Sequence, residues 1–198
     1  MLITNTNNNK EFEITPAGVH TATLYKIVDL GSHLNSHDNM QRLVRFSWEL
    51  PEELMEDGRP FSVDGQYSLS LADNSHLTKL LTGWLGEKPD VPFDPATLLG
   101  KSGNISVVHN KSKDGTKTYA NVSGMQALKK NEKAPAQINT TFIFDLDNYE
   151  EEKLEALPEW LRNKIKESPE YTNVIQGNNP NSDFAQSALK GMNDEIPY

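Results

Sequence analysis

The residues best suited to chemistry lie around a predicted turn, where basic and aromatic side chains follow one another closely. The turn and the residues after it carry Lys111, Lys113, Lys117 and Tyr119. Asp114-Gly115 tolerates the positive φ of a hairpin bend, so the segment 98–128 is predicted to be a β-hairpin. Cations beside an aromatic on such a ribbon can hold a phosphate chain and stack a base. The alternative is an ordinary hairpin with a solvated, lysine-rich tip.

Other residues that could support catalysis form less complete sets. His33, His37 and Asp38 share a polar segment without a further ligand nearby in the sequence, so no metal site or other cofactor is predicted. Asp145 and Asp147 could act as the paired carboxylates of a nuclease. They alternate with apolar residues, however, and a solvated strand edge explains them equally well. No phosphate-binding glycine loop, nucleophile elbow or zincin motif is present, and we expect no enzymatic activity.

The composition is that of a soluble globular chain of 198 residues, 36% hydrophobic and without cysteine. The absence of cysteine excludes disulfides and fits a reducing cytoplasm. Neither a secretory signal nor a membrane span is predicted. Net charge is −9, with 11 basic and 15 acidic side chains in residues 1–128 and 8 and 13 in residues 129–198. A nucleic-acid site would therefore have to be a local basic stripe.

Alternating apolar residues predict three strands at residues 19–30, 41–50 and 61–72. On the second, Val44, Phe46, Trp48 and Leu50 share the apolar face; on the third, Tyr67, Leu69 and Leu71 do. A helix follows at residues 77–85, stopped by Gly86, and the hairpin supplies strands four and five. The order β-β-β-α-β-β predicts a mainly β fold, a five-stranded Greek-key barrel of the OB type, over residues 17–128.

Residues outside this domain are predicted to be simpler. Residues 1–16 resemble a flexible leader. An extension over residues 129–171 contains a strand at 139–147 and an amphipathic helical region at 149–166, which Pro158 divides. Trp160 is predicted to lie on the apolar face of this helical region. Residues 172–198 are poor in apolar side chains and are predicted to be a disordered acidic tail.

The last residues of the tail form a short acidic and aromatic sequence: Asp194, Glu195, Ile196, Pro197 and Tyr198. They resemble the C-terminal tip of bacterial single-stranded-DNA-binding proteins, an acidic run closed by Ile-Pro-Phe. In this chain the acidic run has two residues and tyrosine replaces phenylalanine. The resemblance implies that the tip binds replication and repair proteins through an apolar pocket and a basic patch.

The body resembles a family of phage-encoded single-stranded-DNA-binding proteins. The similar segments are Asp29-Leu30-Gly31, Phe46-x-Trp48-Glu49-Leu50-Pro51, Tyr67-x-Leu69-Ser70-Leu71, FDPATLLGK at 93–101 and Thr118-Tyr119-Ala120-Asn121. The resemblance implies a DNA-binding stripe across the open face of the barrel. The candidate residues are Tyr25, Lys26, Arg42, Arg45, Lys101, His109, Lys111, Lys113, Lys117 and Tyr119. Tyr25 and Tyr119 could equally be core residues, whereas Phe46, Trp48, Tyr67 and Trp84 are expected in the core.

Two functions of different classes follow. The first is a non-catalytic, largely sequence-independent binder of single-stranded DNA for phage replication or recombination, acting in the cytoplasm of the bacterial host. The second is an OB-like protein-interaction module of a phage assembly that does not bind DNA. A homo-oligomer is compatible with either function, and no membrane partner is expected.

Overall fold

The computed structural model describes residues 13–177, which form one curved β-sheet, four α-helices and a 3₁₀ turn. The strands are β1 (Gly18–Leu34), β2 (Met40–Leu54), β3 (Pro60–Ser68), β4 (Ser102–Lys111), β5 (Thr118–Gln126) and β6 (Phe142–Phe144). The helices are α1 (His76–Leu85), α2 (Glu151–Glu155), α3 (Glu159–Lys166) and α4 (Pro169–Ile175), and the 3₁₀ turn is Pro95–Leu98. The predicted mainly β fold and the order of its first six elements are confirmed.

The five strands predicted for the domain form one open sheet, and the strand predicted in the extension joins this sheet as a sixth. Its order is β3-β2-β1-β4-β5, with antiparallel neighbours throughout, and β6 pairs in parallel with β1. Among the described residues, β3 and β5 are therefore edge strands that no backbone ladder joins. A groove remains between them.

β1 is the longest strand and pairs with three others. Residues 18–23 pair with β4, residues 26–28 pair with β6 on the same edge, and residues 23–34 pair with β2 on the opposite edge. The register with β2 shifts at Tyr25 and again at Leu30. Such bulges bend a strand and increase its twist, which lets one strand serve two parts of a curved sheet.

The sequence predicts that the first strand ends before Gly31. In the structure Gly31 lies within β1, just after the second bulge. Its φ of 72° favours glycine, and a Cβ at this position would overlap the side chain of Ser168 at the start of α4. The backbone N–H of Gly31 donates to Asp29 Oδ1 at 3.0 Å. Glycine is therefore needed here both for the backbone conformation and for the approach of α4.

The main core lies between the concave side of the sheet and α1. As predicted, Phe46, Trp48 and Leu50 of β2 are fully buried, and α1 contributes Leu77, Leu80, Leu81 and Trp84. Ser75 caps α1 by accepting the N–H of Thr78 at 3.0 Å, and Gly86 ends it at φ 88°. The third strand is shorter than predicted: β3 ends at Ser68, and Leu69, expected to face inward, is exposed.

A second apolar cluster fixes the extension to the outer side of β1. Val28 and Leu30 pack there against Phe144 and Leu146, together with Leu154, Leu157, Leu161 and Ile165 of the helical region. The predicted break at Pro158 is confirmed, since α2 ends at Glu155 and α3 begins at Glu159. The strand predicted at 139–147 is reduced to β6.

Both predicted flexible segments are partly ordered. Thr15, in the predicted leader, is buried and donates its hydroxyl to the carbonyl of Ser62 at 2.7 Å. Residues 172–175, at the start of the predicted tail, are helical in α4. Residues 1–12 and 178–198 lie outside the described residues.

Glu49 attaches the segment before β6 to the sheet. The carboxylate is fully buried and accepts the N–H groups of Ile138 and Asn139, both at 2.7 Å. Glu49→Gln would turn an amide N–H₂ toward these donors. We expect the free energy of unfolding to fall by about 1.5–3 kcal/mol in urea denaturation, because hydrogen bonds to a charged group are lost.

Glu52→Gln is the matched control, because Glu52 lies on the same strand but is exposed. It should leave stability within about 0.5 kcal/mol of the unmodified protein. Amide exchange should accelerate at Ile138 and Asn139 in the Glu49 variant alone. Equal losses in both variants would contradict the anchoring role.

Candidate functional site

The hairpin formed by β4 and β5 has the turn that the sequence predicts. Asn110 lies opposite Tyr119 in the last rungs of the ladder, and Lys111 opposite Thr118. The turn is closed by the N–H of Ser112, which donates to the carbonyl of Lys117 at 2.8 Å. Gly115 adopts a φ of 71°, the conformation for which a glycine was expected.

Asp114 organises the turn through hydrogen bonds to its carboxylate. Oδ1 accepts the Ser112 hydroxyl at 2.5 Å and the N–H of Thr116 at 3.1 Å, and Oδ2 accepts the Thr116 hydroxyl at 2.8 Å. These bonds favour the charged form and lower the pKa of Asp114 to about 2, with the Ser112 hydroxyl the largest cause. Asp114 is thus occupied within the turn rather than with a lysine.

The lysines of the hairpin are exposed, and the ion pairs found within residues 13–177 include none of them. These lysines are Lys111, Lys113 and Lys117. Tyr119 follows them on β5, and 51% of its surface is exposed, so it is not a core residue. The hairpin therefore presents three lysines against the one carboxylate of Asp114, next to an accessible aromatic ring.

Tyr119 lies at the rim of the groove between the two edge strands. This groove has a volume of about 420 Å³ and is lined from β3 by Ser62, Val63, Asp64 and Gln66, from β5 by Tyr119, Ala120 and Asn121, and from β2 by Arg45. Arg45 Nη2 lies 2.7 Å from Asp64 Oδ2, and the Ser47 hydroxyl also donates to Asp64. The acidic residue of the groove is thus already compensated by the protein.

Tyr25 lies at the first bulge of β1. The pKa of its hydroxyl is raised, first by burial and then by the charges of Asp64 and Glu49. The ammonium of Lys26 lies 5.7 Å from the centre of the Tyr25 ring. Of the predicted set, Arg45 and Tyr119 line the groove together, whereas Tyr25 and Lys26 line a separate cavity against residues 139–157 of the extension.

Arg42 has a structural environment on a different part of the surface. Its guanidinium lies 2.5 Å from Asp29 and 3.0 Å from Asp147, with Asp145 at 4.0 Å. The hydrogen bond to Asp29 is the main reason why the pKa of Arg42 is raised. Asp29 also accepts the N–H of Leu146 at 3.3 Å. The cluster joins β1 and β2 to the segment after β6, and the two aspartates considered for a nuclease face an arginine.

The remaining two candidates lie apart from the groove lining. Lys101 is exposed between the 3₁₀ turn and β4, where its backbone carbonyl accepts the N–H of Leu24 at 3.1 Å. His109 lies on β4 with Nε2 2.8 Å from the carbonyl of Thr15. This contact holds residues 13–16 against the sheet.

Sequence reasoning missed the contribution of the extension to this surface. Trp160, interpreted as an apolar-face residue, is 53% exposed, and its ring stacks on the guanidinium of Arg45 at 4.9 Å. Lys164 Nζ donates to Gln66 Oε1 at 3.0 Å. One feature of the sequence could have indicated this. Lys164 follows Trp160 by four residues, so the two side chains are neighbours on the helix surface, at the border of its apolar face.

Two further observations concern the described part of the chain only. No three His, Asp or Glu side chains within residues 13–177 gather in a way that could hold a metal ion. No helix there is long and apolar enough to span a membrane. The predicted partner-binding tip, residues 194–198, lies outside the described residues.

The carboxylate of Asp114 should titrate with a pKa of about 2 in an NMR pH titration of the folded protein. Because this pKa is below the ordinary value of 3.8, the contribution of the turn is complete above pH 3.8 and disappears as the pH falls through about 2. Ser112→Ala should raise the pKa toward 3.8. Ser123→Ala, on the same hairpin but bonded to the carbonyl of Ser106, should leave it unchanged.

No protein-family model matches this sequence, and no curated protein matches it.

Proposed function

We propose that this protein is a non-catalytic binder of single-stranded DNA that binds along the groove between β3 and β5 with little dependence on sequence. The observation that carries the proposal is the hairpin beside the groove. Three exposed lysines without carboxylate partners among the described residues precede Tyr119, whose ring is half exposed at the rim. Lysines contact phosphates, and an aromatic face stacks any base, so this combination binds single strands without reading their sequence.

The strand arrangement supports an OB-type fold. The five longer strands follow the order β3-β2-β1-β4-β5, with α1 between β3 and β4 in the chain and with β3 and β5 flanking the groove. Proteins of the OB type bind oligonucleotides across the face formed by their second and third strands. The groove includes Arg45 of β2 and Asp64 and Gln66 of β3, which corresponds to that face.

The resemblance to phage-encoded single-stranded-DNA-binding proteins supports a role in phage DNA replication or recombination in the host cytoplasm. Within this proposal the protein covers exposed strands, and the tip at residues 194–198 binds replication and repair proteins. The alternative, a protein-interaction module without DNA binding, is separated from it by the measurement below.

We expect fluorescence-anisotropy titrations to show tight binding to labelled oligo(dT) and little binding to a duplex of equal length. Affinity for the single strand should fall as salt is raised, because the release of counterions from the phosphates gains less entropy in a more concentrated salt solution. A duplex hides the faces of its bases, so stacking on Tyr119 is not available to it. Absence of oligo(dT) binding even at low salt would reject the proposal and favour the interaction module.

Substitutions in the hairpin should separate stacking from charge. Tyr119→Ala should raise the Kd for oligo(dT) by about 5- to 150-fold, since one stacked base contributes about 1–3 kcal/mol. Tyr119→Phe, which keeps the ring, should remain within about threefold. Lys117→Ala should reduce the slope of log K against log salt by about 0.7, the value for one phosphate contact on a single strand.

Lys79→Ala is the charge-matched control, since Lys79 is exposed on α1 and does not line the groove. It should leave both the Kd at moderate salt and the salt slope unchanged. Equal effects of Lys79→Ala and Lys117→Ala would show that only the net charge of the protein matters, which would contradict a site on the hairpin.

A further inference from the structure

Trp160 differs from the other tryptophans of the chain in its surroundings. Trp48 and Trp84 are in the main core with exposures of 0% and 1%, whereas Trp160 is 53% exposed. α3 buries Leu161 and Ile165 in the second apolar cluster, and Trp160, one residue before Leu161, is directed away from that cluster. Trp160 thus exposes about half of a large aromatic side chain next to the sheet.

Arg45 determines where the indole of Trp160 lies. The centre of its guanidinium is 4.9 Å from the ring centroid, a cation–π distance, and Arg45 is itself held by Asp64 at 2.7 Å. The ring is therefore fixed over β2, with one face covered by Arg45. With half of the side chain exposed, the other face is available to a flat ligand.

Lys164 places a second cation in the same area. It follows Trp160 by four residues and so lies on the same side of α3. Burial and the nearby charge of Arg45 lower the pKa of Lys164, whereas Glu167 raises it. Lys164 Nζ donates to Gln66 Oε1 at 3.0 Å and lines the same cavity as Trp160, so its charge is within reach of an anion bound there.

The surface around Trp160 continues into the groove of the hairpin. Three adjoining cavities of about 420, 610 and 770 Å³ follow one another over β3 and β2, and Gln66 lines all three. Tyr119 lies at one end of this series, and Trp160 and Lys164 lie at the other. A chain bound at the hairpin would therefore meet α3 as it continues across β3.

From this geometry we propose that the single-stranded DNA path extends from Tyr119 across β3 to α3, where a base stacks on Trp160 and a phosphate lies near Arg45 and Lys164. The inference rests on the function proposed above and adds a second stacking residue, supplied by the extension rather than by the sheet. It makes α3 part of the binding surface as well as of the second apolar cluster.

Tryptophan fluorescence tests this directly, because Trp160 is the accessible indole among the three. Oligo(dT) should quench the emission of the full-length protein, since a stacked base deactivates the indole. Trp160→Phe should bind oligo(dT) within about threefold of the unmodified protein but lose the quenching. Trp160→Ala should raise the Kd by about 5- to 150-fold, the effect of one lost stack.

Two lysines of α3 test the proposed phosphate contact, one as the candidate and the other as its control. Lys164 lines the cavity of about 770 Å³ together with Trp160, whereas Lys166 is exposed on the same helix and does not line that cavity. Lys164→Ala should reduce the salt slope by about 0.7, and Lys166→Ala should leave it unchanged. Thermal unfolding of all four variants should stay close to that of the unmodified protein, because none of the replaced side chains belongs to the apolar clusters.

The outcomes separate this inference from the function on which it rests. Binding of oligo(dT) without quenching, together with unchanged affinity of Trp160→Ala, would overturn the path over α3 and leave the hairpin site standing. Equal salt slopes for Lys164→Ala and Lys166→Ala would overturn the phosphate position. Failure of the unmodified protein to bind oligo(dT) at all would overturn both proposals.

Discussion

The backbone of β1 is the constraint on which the rest of the fold depends. A strand of 17 residues exposes hydrogen-bonding groups along two edges, and unpaired buried groups are costly. β2 covers one edge, while β4 covers the other only as far as Thr23. Beyond the end of β4, residues Lys26 to Val28 on the same edge of β1 pair in parallel with β6. Because β6 must lie there, α2 and α3 follow on the outer side of β1, where Val28 and Leu30 supply the apolar surface that they cover.

Two carboxylates on the sheet stabilise this arrangement on either side of β6. Glu49 accepts backbone N–H groups from the segment before β6, and Asp29 accepts the N–H of Leu146 after it. Asp29 in turn is paired with Arg42, which also lies 3.0 Å from Asp147. A buried carboxylate is tolerated only where donors compensate it, so these residues serve the attachment of the extension rather than a ligand. Arg42, although a suitable phosphate contact by type, is therefore committed to the fold.

Local patterns in the sequence predict the elements well, because alternation on β2, the helical spacing of α1 and the Asp114-Gly115 turn are properties of neighbouring residues. The errors arise where distant residues decide. Gly31 resembles a strand end, yet its conformation serves a bulge and the contact with Ser168, 137 positions later. Trp160 matches an apolar face by type, whereas Arg45 on β2 holds it at the surface. Among the site residues, the hairpin could be predicted because its parts are adjacent, but the pairing of Arg45 with Asp64 and the position of α3 could not.

An acidic chain can bind a polyanion if its cations are grouped on a scale shorter than the screening length, which is about 8 Å at physiological salt. Lys111, Lys113 and Lys117 follow one another around one turn and outnumber the single carboxylate of Asp114 within it. In the groove Arg45 is paired with Asp64, and Lys164 lies beyond the groove on α3, in the cavity that Trp160 also lines. A bound strand would therefore experience these local cations at short range, while carboxylates more than a screening length away would act on it only weakly. The net charge of −9 then mainly affects the rate of association and its dependence on salt. It has less influence on the place where the strand binds.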